Sequence, residues 1–112
     1  MHADEILARL APEERRWVEE FRDRVREQLG TRVRDLRLFG SKVRGDSREG
    51  SDIDLLVLID GLDHEVRLAI VDLAHEISPW LAAHAFDFER YHAPRSRATG
   101  FYQELRKESV RL

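Results

Sequence analysis

Leu38-Phe39-Gly40-Ser41-Lys42-Val43-Arg44-Gly45-Asp46-Ser47-Arg48-Glu49-Gly50-Ser51-Asp52-Ile53-Asp54-Leu55-Leu56-Val57 joins two apolar segments through a loop of glycine, serine and charge. The first segment, Val33 to Phe39, reads as a strand with Leu36 and Leu38 on one face. The loop spans Gly40 to Ser51. The second segment, Ile53 to Ile59, is almost unbroken in its aliphatic side chains. Such a run is expected of a central strand buried on both faces. A loop rather than a helix joins the two, which predicts antiparallel neighbours.

Upstream, Pro12 to Leu29 carries Trp17, Val18, Phe21, Val25 and Leu29 at helical spacing. Pro12 suits the first helical position, Glu13 and Glu14 suit the positive end of the dipole, and Gly30 suits the stop. A shorter helix is expected from about Asp4 to Leu10. Downstream, Asp63 to Ile77 is amphipathic, with Val66, Ile70, Leu73, Ala74 and Ile77 inward. Pro79 disfavours its continuation, and Trp80 to Ala83 reads as an added turn. Ala85 to Tyr91 alternates and reads as a third strand, and Ser96 to Glu108 as a last helix. A helix between the second and third strands predicts that they run parallel. The expected fold is α/β (α+β): a small mixed sheet of about three strands packed by helices, with residues 1–112 as one domain.

Composition narrows the function classes. There is no Cys, so thiol catalysis, disulfides and thiolate metal sites are excluded. Nineteen basic and 22 acidic side chains give a formal charge of −3 without a basic stripe, which does not favour nucleic acid as the direct substrate. No apolar run reaches the ~20 residues of a membrane span, and the polar start of the chain is unlike a signal peptide. A cytoplasmic location is the expectation.

Asp52 and Asp54 carry the chemistry. Alternate residues of a strand share a face, so both carboxylates point the same way. Like charges held that close are relieved by a divalent cation or a shared proton. Hard oxygen donors suit Mg²⁺, which is commonly shared with substrate phosphates. Gly40 lets backbone approach a ligand, the Ser41 hydroxyl and loop N–H groups suit phosphate oxygens, and Lys42 and Arg44 add positive charge. Asp87 is the third candidate carboxylate, as general base or metal ligand, if its strand lies beside that of Asp54. Singly, a Gly-Ser pair is usually a turn, an Asp-x-Asp is usually solvated, and Asp87 reads as a surface residue. Together they form a specific string. His84 and His92 flank the expected third strand, a place from which either could border the site, and neither is taken as a site residue; His64 and His75 read as surface residues.

Gly40-Ser41, ten residues, then Asp52-Ile53-Asp54 resembles the Gly-Ser-x10-Asp-x-Asp signature of the minimal nucleotidyltransferases in the DNA polymerase beta-like superfamily. The likeness covers Val33 to about Asp87 and extends weakly to Phe101–Val110, where Glu108-Ser109 stands in place of the Glu-Gly common in members. The resemblance implies Gly40, Ser41 and Arg44 on the phosphates of ATP or another NTP, with Asp52, Asp54 and Asp87 around Mg²⁺. It also implies a nucleotidyltransferase fold and activity. Many such enzymes act as antitoxins that adenylylate a Tyr on a HEPN-domain toxin, which makes a HEPN-type protein the expected partner and acceptor. A small-molecule acceptor held with another subunit and a non-catalytic masking module are the alternatives. The aromatic C-terminal helix offers a face for a partner or for a second copy.

Overall fold

The computed structural model describes residues 2–46 and 51–112. In chain order it contains helices α1 (Ala3–Arg9) and α2 (Pro12–Leu29), strand β1 (Val33–Phe39), the one-turn helix α3 (Ser41–Arg44) and strand β2 (Ile53–Ile59). Then follow α4 (His64–Ile77), β3 (Leu81–Asp87), α5 (Phe88–Tyr91), α6 (Pro94–Arg97), α7 (Gly100–Lys107) and β4 (Ser109–Arg111).

The sheet is mixed and four-stranded, in the order β3-β2-β1-β4. β2 is central, and every one of its residues is buried except Asp54. β1 and β2 are antiparallel, with Phe39 opposite Asp54 and Leu38 opposite Leu55. β2 and β3 are parallel, and α4 connects them. These relations match the sequence expectation. The fourth strand is additional to the three expected: Ser109–Arg111, just past the expected end of the last helix, pairs antiparallel with the outer edge of β1.

Strand pleating divides the side chains between two faces. Leu36, Leu38, Ile53, Leu55, Val57, Ile59 and Leu81 form the main core with Ile6, Val18, Phe21, Val25, Ile70, Leu73 and Ala74 of α1, α2 and α4. Burying Phe21 alone stabilises the fold by roughly 2–3 kcal/mol before entropy is counted. The opposite face is covered in part: Leu56, Leu58 and Leu105 cluster there with Phe39, Phe86, Phe88 and Tyr91. Asp54 lies on this second face, at its less covered end.

Local chemistry fixes the helix starts. Asp63 caps α4 by accepting from the Val66 N–H at 2.8 Å. Thr99 caps α7 by accepting from the Tyr102 N–H at 3.2 Å. The Glu14 carboxylate accepts from the Ala11 N–H at 3.1 Å at the start of α2.

The third strand corrects the sequence reading. It runs from Leu81 to Asp87, four residues earlier than Ala85 to Tyr91, and Trp80–Ala83 does not form a helical turn. The Phe88–Tyr91 segment is helical instead, and Asp87 is its N-cap. Among the described residues, no helix is long and apolar enough to cross a membrane.

Candidate active site

The two ends of the motif meet where β1 stops. Gly40 adopts φ 84° and ψ −152°, a conformation essentially reserved for glycine. A Cβ at this position would lie 2.5 Å from Oδ2 of Asp54. The loop backbone therefore rests directly on the carboxylate, which only a residue without a side chain permits. The chain then turns through α3, where the N–H groups of Val43 and Arg44 both donate to the Gly40 carbonyl at 3.1 Å. Buried Val43 anchors that turn to the core and leaves Ser41 partly exposed at its start.

Lys42 and Arg44 part company. The Lys42 ammonium pairs with Glu14 at 2.7 Å, and its side chain is only 8% exposed. It ties α3 to α2 and does not face the carboxylates, contrary to the expectation that it adds charge to a phosphate site. Arg44 pairs with Asp46 and with Glu108, each at 3.2 Å. These bonds, that to Asp46 foremost, raise its already high pKa. Arg44 lines a cavity of ≈ 160 Å³ together with Phe39, Gly40, Asp54, Phe101 and Glu104. This hollow gathers Gly40, Arg44 and Asp54, as the motif predicts. The Asp46 and Glu108 contacts are exposed ion pairs, weak enough to be exchanged for a phosphate.

Asp54 is half-buried, and its side chain is 30% exposed. Asp52, one alternation earlier, is exposed just before the strand. The Asp54 carboxylate opens onto the hollow beside a glycine turn, and with the exposed Asp52 two residues away this is a hard oxygen donor set of the kind that suits a Mg²⁺ ion sharing its coordination with phosphate oxygens. Among the described residues, no three His, Asp or Glu side chains are gathered tightly enough to enclose a cation unaided.

Asp87 does not join them. In the parallel register Asp54 is level with Ala82, while Asp87 is level with Ile59. Five residues of strand separate these levels, about 16 Å at the usual rise. The parity is also wrong: Ala82, His84 and Phe86 share the face of Asp54, whereas Asp87 lies with Leu81, Ala83 and Ala85 on the other. Asp87 has a structural task, accepting from the Leu62 N–H at 3.1 Å and the Arg90 N–H at 3.2 Å. These bonds, that from Arg90 foremost, hold its pKa below the ordinary carboxylate value. The stability it contributes is therefore complete above its unfolded pKa of about 3.9 and is lost as pH falls through the lower folded value. Asp87→Ala is expected to lower the melting temperature at pH 7 and to leave metal-dependent nucleotide binding unchanged. Melting curves across pH check this: the gap from wild type should close below about pH 4.

The residue that β3 does bring to Asp54 is His84. Its Nε2 is 3.4 Å from Oδ1 of Asp54, and its ring lies 5.4 Å from that of Phe39. It sits inside the strand rather than flanking it. With the register unknown, only its place near a strand pointed to the site.

The chain matches the nucleotidyltransferase domain model over residues 18–107. It is similar in structure to a toxin–antitoxin with AMP-PNP, with a TM-score of 0.57 and 23% identity over 83% of this chain and 70% of that one. A mutant of the MntA–HpeT toxin–antitoxin gives a TM-score of 0.57 and 21% identity over the same shares. At such identities the likeness speaks for the fold. Comparison with curated proteins gives no match. The matched region takes in β1, β2 and β3, the Gly40 turn and both motif aspartates, and the chain belongs to the nucleotidyltransferase domain family.

Proposed function

We propose that the protein is a Mg²⁺-dependent nucleotidyltransferase that moves NMP, with AMP from ATP as the first choice, to a hydroxyl of a partner protein. The observation that carries this reading is the seating of the Gly40 backbone on the Asp54 carboxylate, which makes loop and carboxylate one site. Ser41 and the loop amides bind phosphate oxygens, Arg44 exchanges its exposed carboxylates for phosphate, and Asp52 and Asp54 hold Mg²⁺. The bound ion offsets phosphate charge and stabilises the leaving pyrophosphate. The protein's own part is positioning: a fixed glycine turn and a carboxylate on a buried central strand keep the α-phosphate in line with the incoming oxygen.

In this reading the acceptor hydroxyl arrives on another molecule. The similarity to toxin–antitoxin structures, one with AMP-PNP, supports a toxin as that molecule, and the sequence resemblance makes a HEPN-type toxin with a Tyr hydroxyl the first choice of acceptor. The test is intact mass spectrometry of the protein with a HEPN-type partner, ATP and Mg²⁺. A gain of one or more AMP units on the partner's Tyr is expected. Unchanged masses of both chains would sink the proposal.

Arg44→Ala is expected to weaken NTP binding about tenfold, because one charge-assisted contact to phosphate is lost. Calorimetric titration checks it; an unchanged affinity would leave Arg44 a partner of Asp46 and Glu108 alone.

One observation favours a second reading. Beyond Phe101 a larger cavity of ≈ 510 Å³ opens between Phe86, Tyr91, Asp63, Arg67 and Ser96, a volume within the range of small-molecule sites. A small hydroxylated acceptor there would be consumed from a metabolite panel in the presence of ATP, and intact recovery of every compound would dismiss this reading.

A further inference from the structure

We infer that the chain forms a two-fold dimer through the outer edge of β3, which joins the sheets of two copies into one. The inference stands apart from the nucleotidyltransferase reading above. β3 ends the sheet on one side. The Ile53 N–H donates to the Trp80 carbonyl at 2.8 Å, so the backbone polar groups of residues 80, 82, 84 and 86 point toward β2. Those of Leu81, Ala83 and Ala85 alternate with them and point outward. Two outward groups are matched at the ends of this edge. The Leu81 N–H donates to the Ser78 carbonyl at 3.2 Å. The Ala85 carbonyl accepts from Nε and Nη2 of Arg67 at 3.3 and 3.2 Å. In the middle, the N–H and carbonyl of half-buried Ala83 have no partner among the described residues. An antiparallel neighbour returns both bonds from a single residue, and Ala83 of a second copy is such a residue. The sheet's other edge is guarded: β4 is three residues long and carries Arg111. Leu81 to Phe86 is a longer edge with no Pro, Lys or carboxylate to turn a neighbour away.

Placing Ala83 opposite its counterpart fixes the register, and the side chains fit it. Ala82 comes opposite the second copy's His84, where a methyl group leaves room for the imidazole. By the same alternation Trp80 comes opposite the second copy's Phe86. An aromatic pair across antiparallel strands is favourable, and it covers Trp80, which is 44% exposed. On the other face, Val71 of α4 borders an open groove with Ala83 and Ala85. Leu68, one turn earlier on α4, is 47% exposed. The two-fold axis brings this side of α4 toward its counterpart. One operation thus pairs the open backbone and covers two large apolar side chains that the single copy leaves in water.

The area matches what a dimer needs. Seven residues of strand are about 23 Å long, and sheet plus helix layer is about 20 Å deep, on the order of 500 Å² per copy. About 1,000 Å² in all is near the lower bound for a specific interface, which sets the affinity on the order of 10 µM. The axis is normal to the sheet, so the Asp54 faces of both copies lie on one side of the joined sheet.

Sedimentation velocity of the intact chain from about 1 to about 200 µM is the test, a range that brackets this affinity. A reversible passage from monomer to dimer is expected. Trp80→Ser is expected to weaken it about tenfold without lowering the melting temperature, because the ring is exposed in the single copy. Ala83→Pro is expected to abolish it, and an edge strand tolerates proline where the N–H faces outward. The chain has no Cys, so Ala83→Cys gives a direct probe of the register. The two Cα atoms would be about 5.5 Å apart, within disulfide reach. A disulfide dimer is expected from Ala83→Cys on mild oxidation, and none from Glu20→Cys on the exposed side of α2. A monomer at every concentration would overturn the inference. So would a dimer that neither Trp80→Ser nor Ala83→Pro weakens and that forms no disulfide in Ala83→Cys, which would lie on another face. Loss of a partner protein's binding in Ala83→Pro, with wild type monomeric throughout, would give the edge to that partner and overturn it likewise.

Discussion

Asp54→Asn is expected to reduce nucleotidyl transfer by about a thousandfold, equivalent to about 4 kcal/mol of barrier. Asn keeps the size of the side chain and removes its charge. Asp54 is the one residue of the central strand that is not buried, and it faces the hollow shared with Gly40 and Arg44. Its position on a fully paired strand gives the carboxylate little freedom, which is what a metal ligand requires. The loss should fall on turnover and metal affinity together, because the negative charge is needed both to hold the ion and to keep it against the phosphates. Stability should change little, since the side chain meets solvent and its one polar contact among the described residues, to His84, is long. The check is pyrophosphate release with the acceptor present, alongside a thermal melt. A variant that keeps more than about a tenth of the wild-type rate would remove Asp54 from the mechanism.

Gly40→Ala is the second large effect. Two costs combine. At φ 84° and ψ −152° a side chain is strained by about 1–3 kcal/mol. Its Cβ would also fall 2.5 Å from Oδ2 of Asp54, far inside contact distance. Either the turn or the carboxylate must move. Movement of the turn loosens α3 and the Lys42–Glu14 tie; movement of the carboxylate dismantles the metal site. The variant is therefore expected to melt several degrees lower and to lose metal-dependent NTP binding by at least about tenfold. Gly30→Ala makes the comparison informative. Gly30 also has a positive φ, 54°, but a Cβ there meets nothing within 4 Å. It should share the strain and keep the binding. Loss of NTP binding in both variants would mean that backbone strain, not the approach to Asp54, explains the result.

The part of the fold around the motif was legible because each signal was local and physical. Pro12 and Gly30 bracket α2 as their backbone preferences demand. Ile53–Ile59 reads as a buried strand because only a central position tolerates such a run. The Gly40 and Asp54 pairing followed from an antiparallel return between neighbouring strands.

The third strand was misread for reasons equally physical. Leu81-Ala82-Ala83 has helical propensity, but pairing with Ile53, Asp54 and Leu55 overrides it. Phe86 and Phe88 alternate as a strand would, yet Phe88 belongs to the turn that Asp87 caps. That displacement is why Asp87 looked central and His84 looked peripheral. A strand's register is a tertiary property, set here by how α4 returns the chain to β2, and no local pattern encodes it. β4 was invisible for a similar reason: Ser109-Val110-Arg111 is extended because β1 has a free edge, not because of its own composition. Lys42 could not be told from Arg44 in the sequence, since only the packing of α2 against α3 brings Glu14 within reach.

The most direct test of the central claim, that Gly40, Asp52 and Asp54 form one metal-dependent nucleotide site, is calorimetric titration of a non-hydrolysable ATP analogue with and without Mg²⁺. The proteins compared are wild type and the Asp52→Asn/Asp54→Asn double variant. Binding that needs the metal in wild type and is lost in the double variant is the predicted result. Equal affinity in the two proteins, or wild-type binding indifferent to the metal, would contradict it.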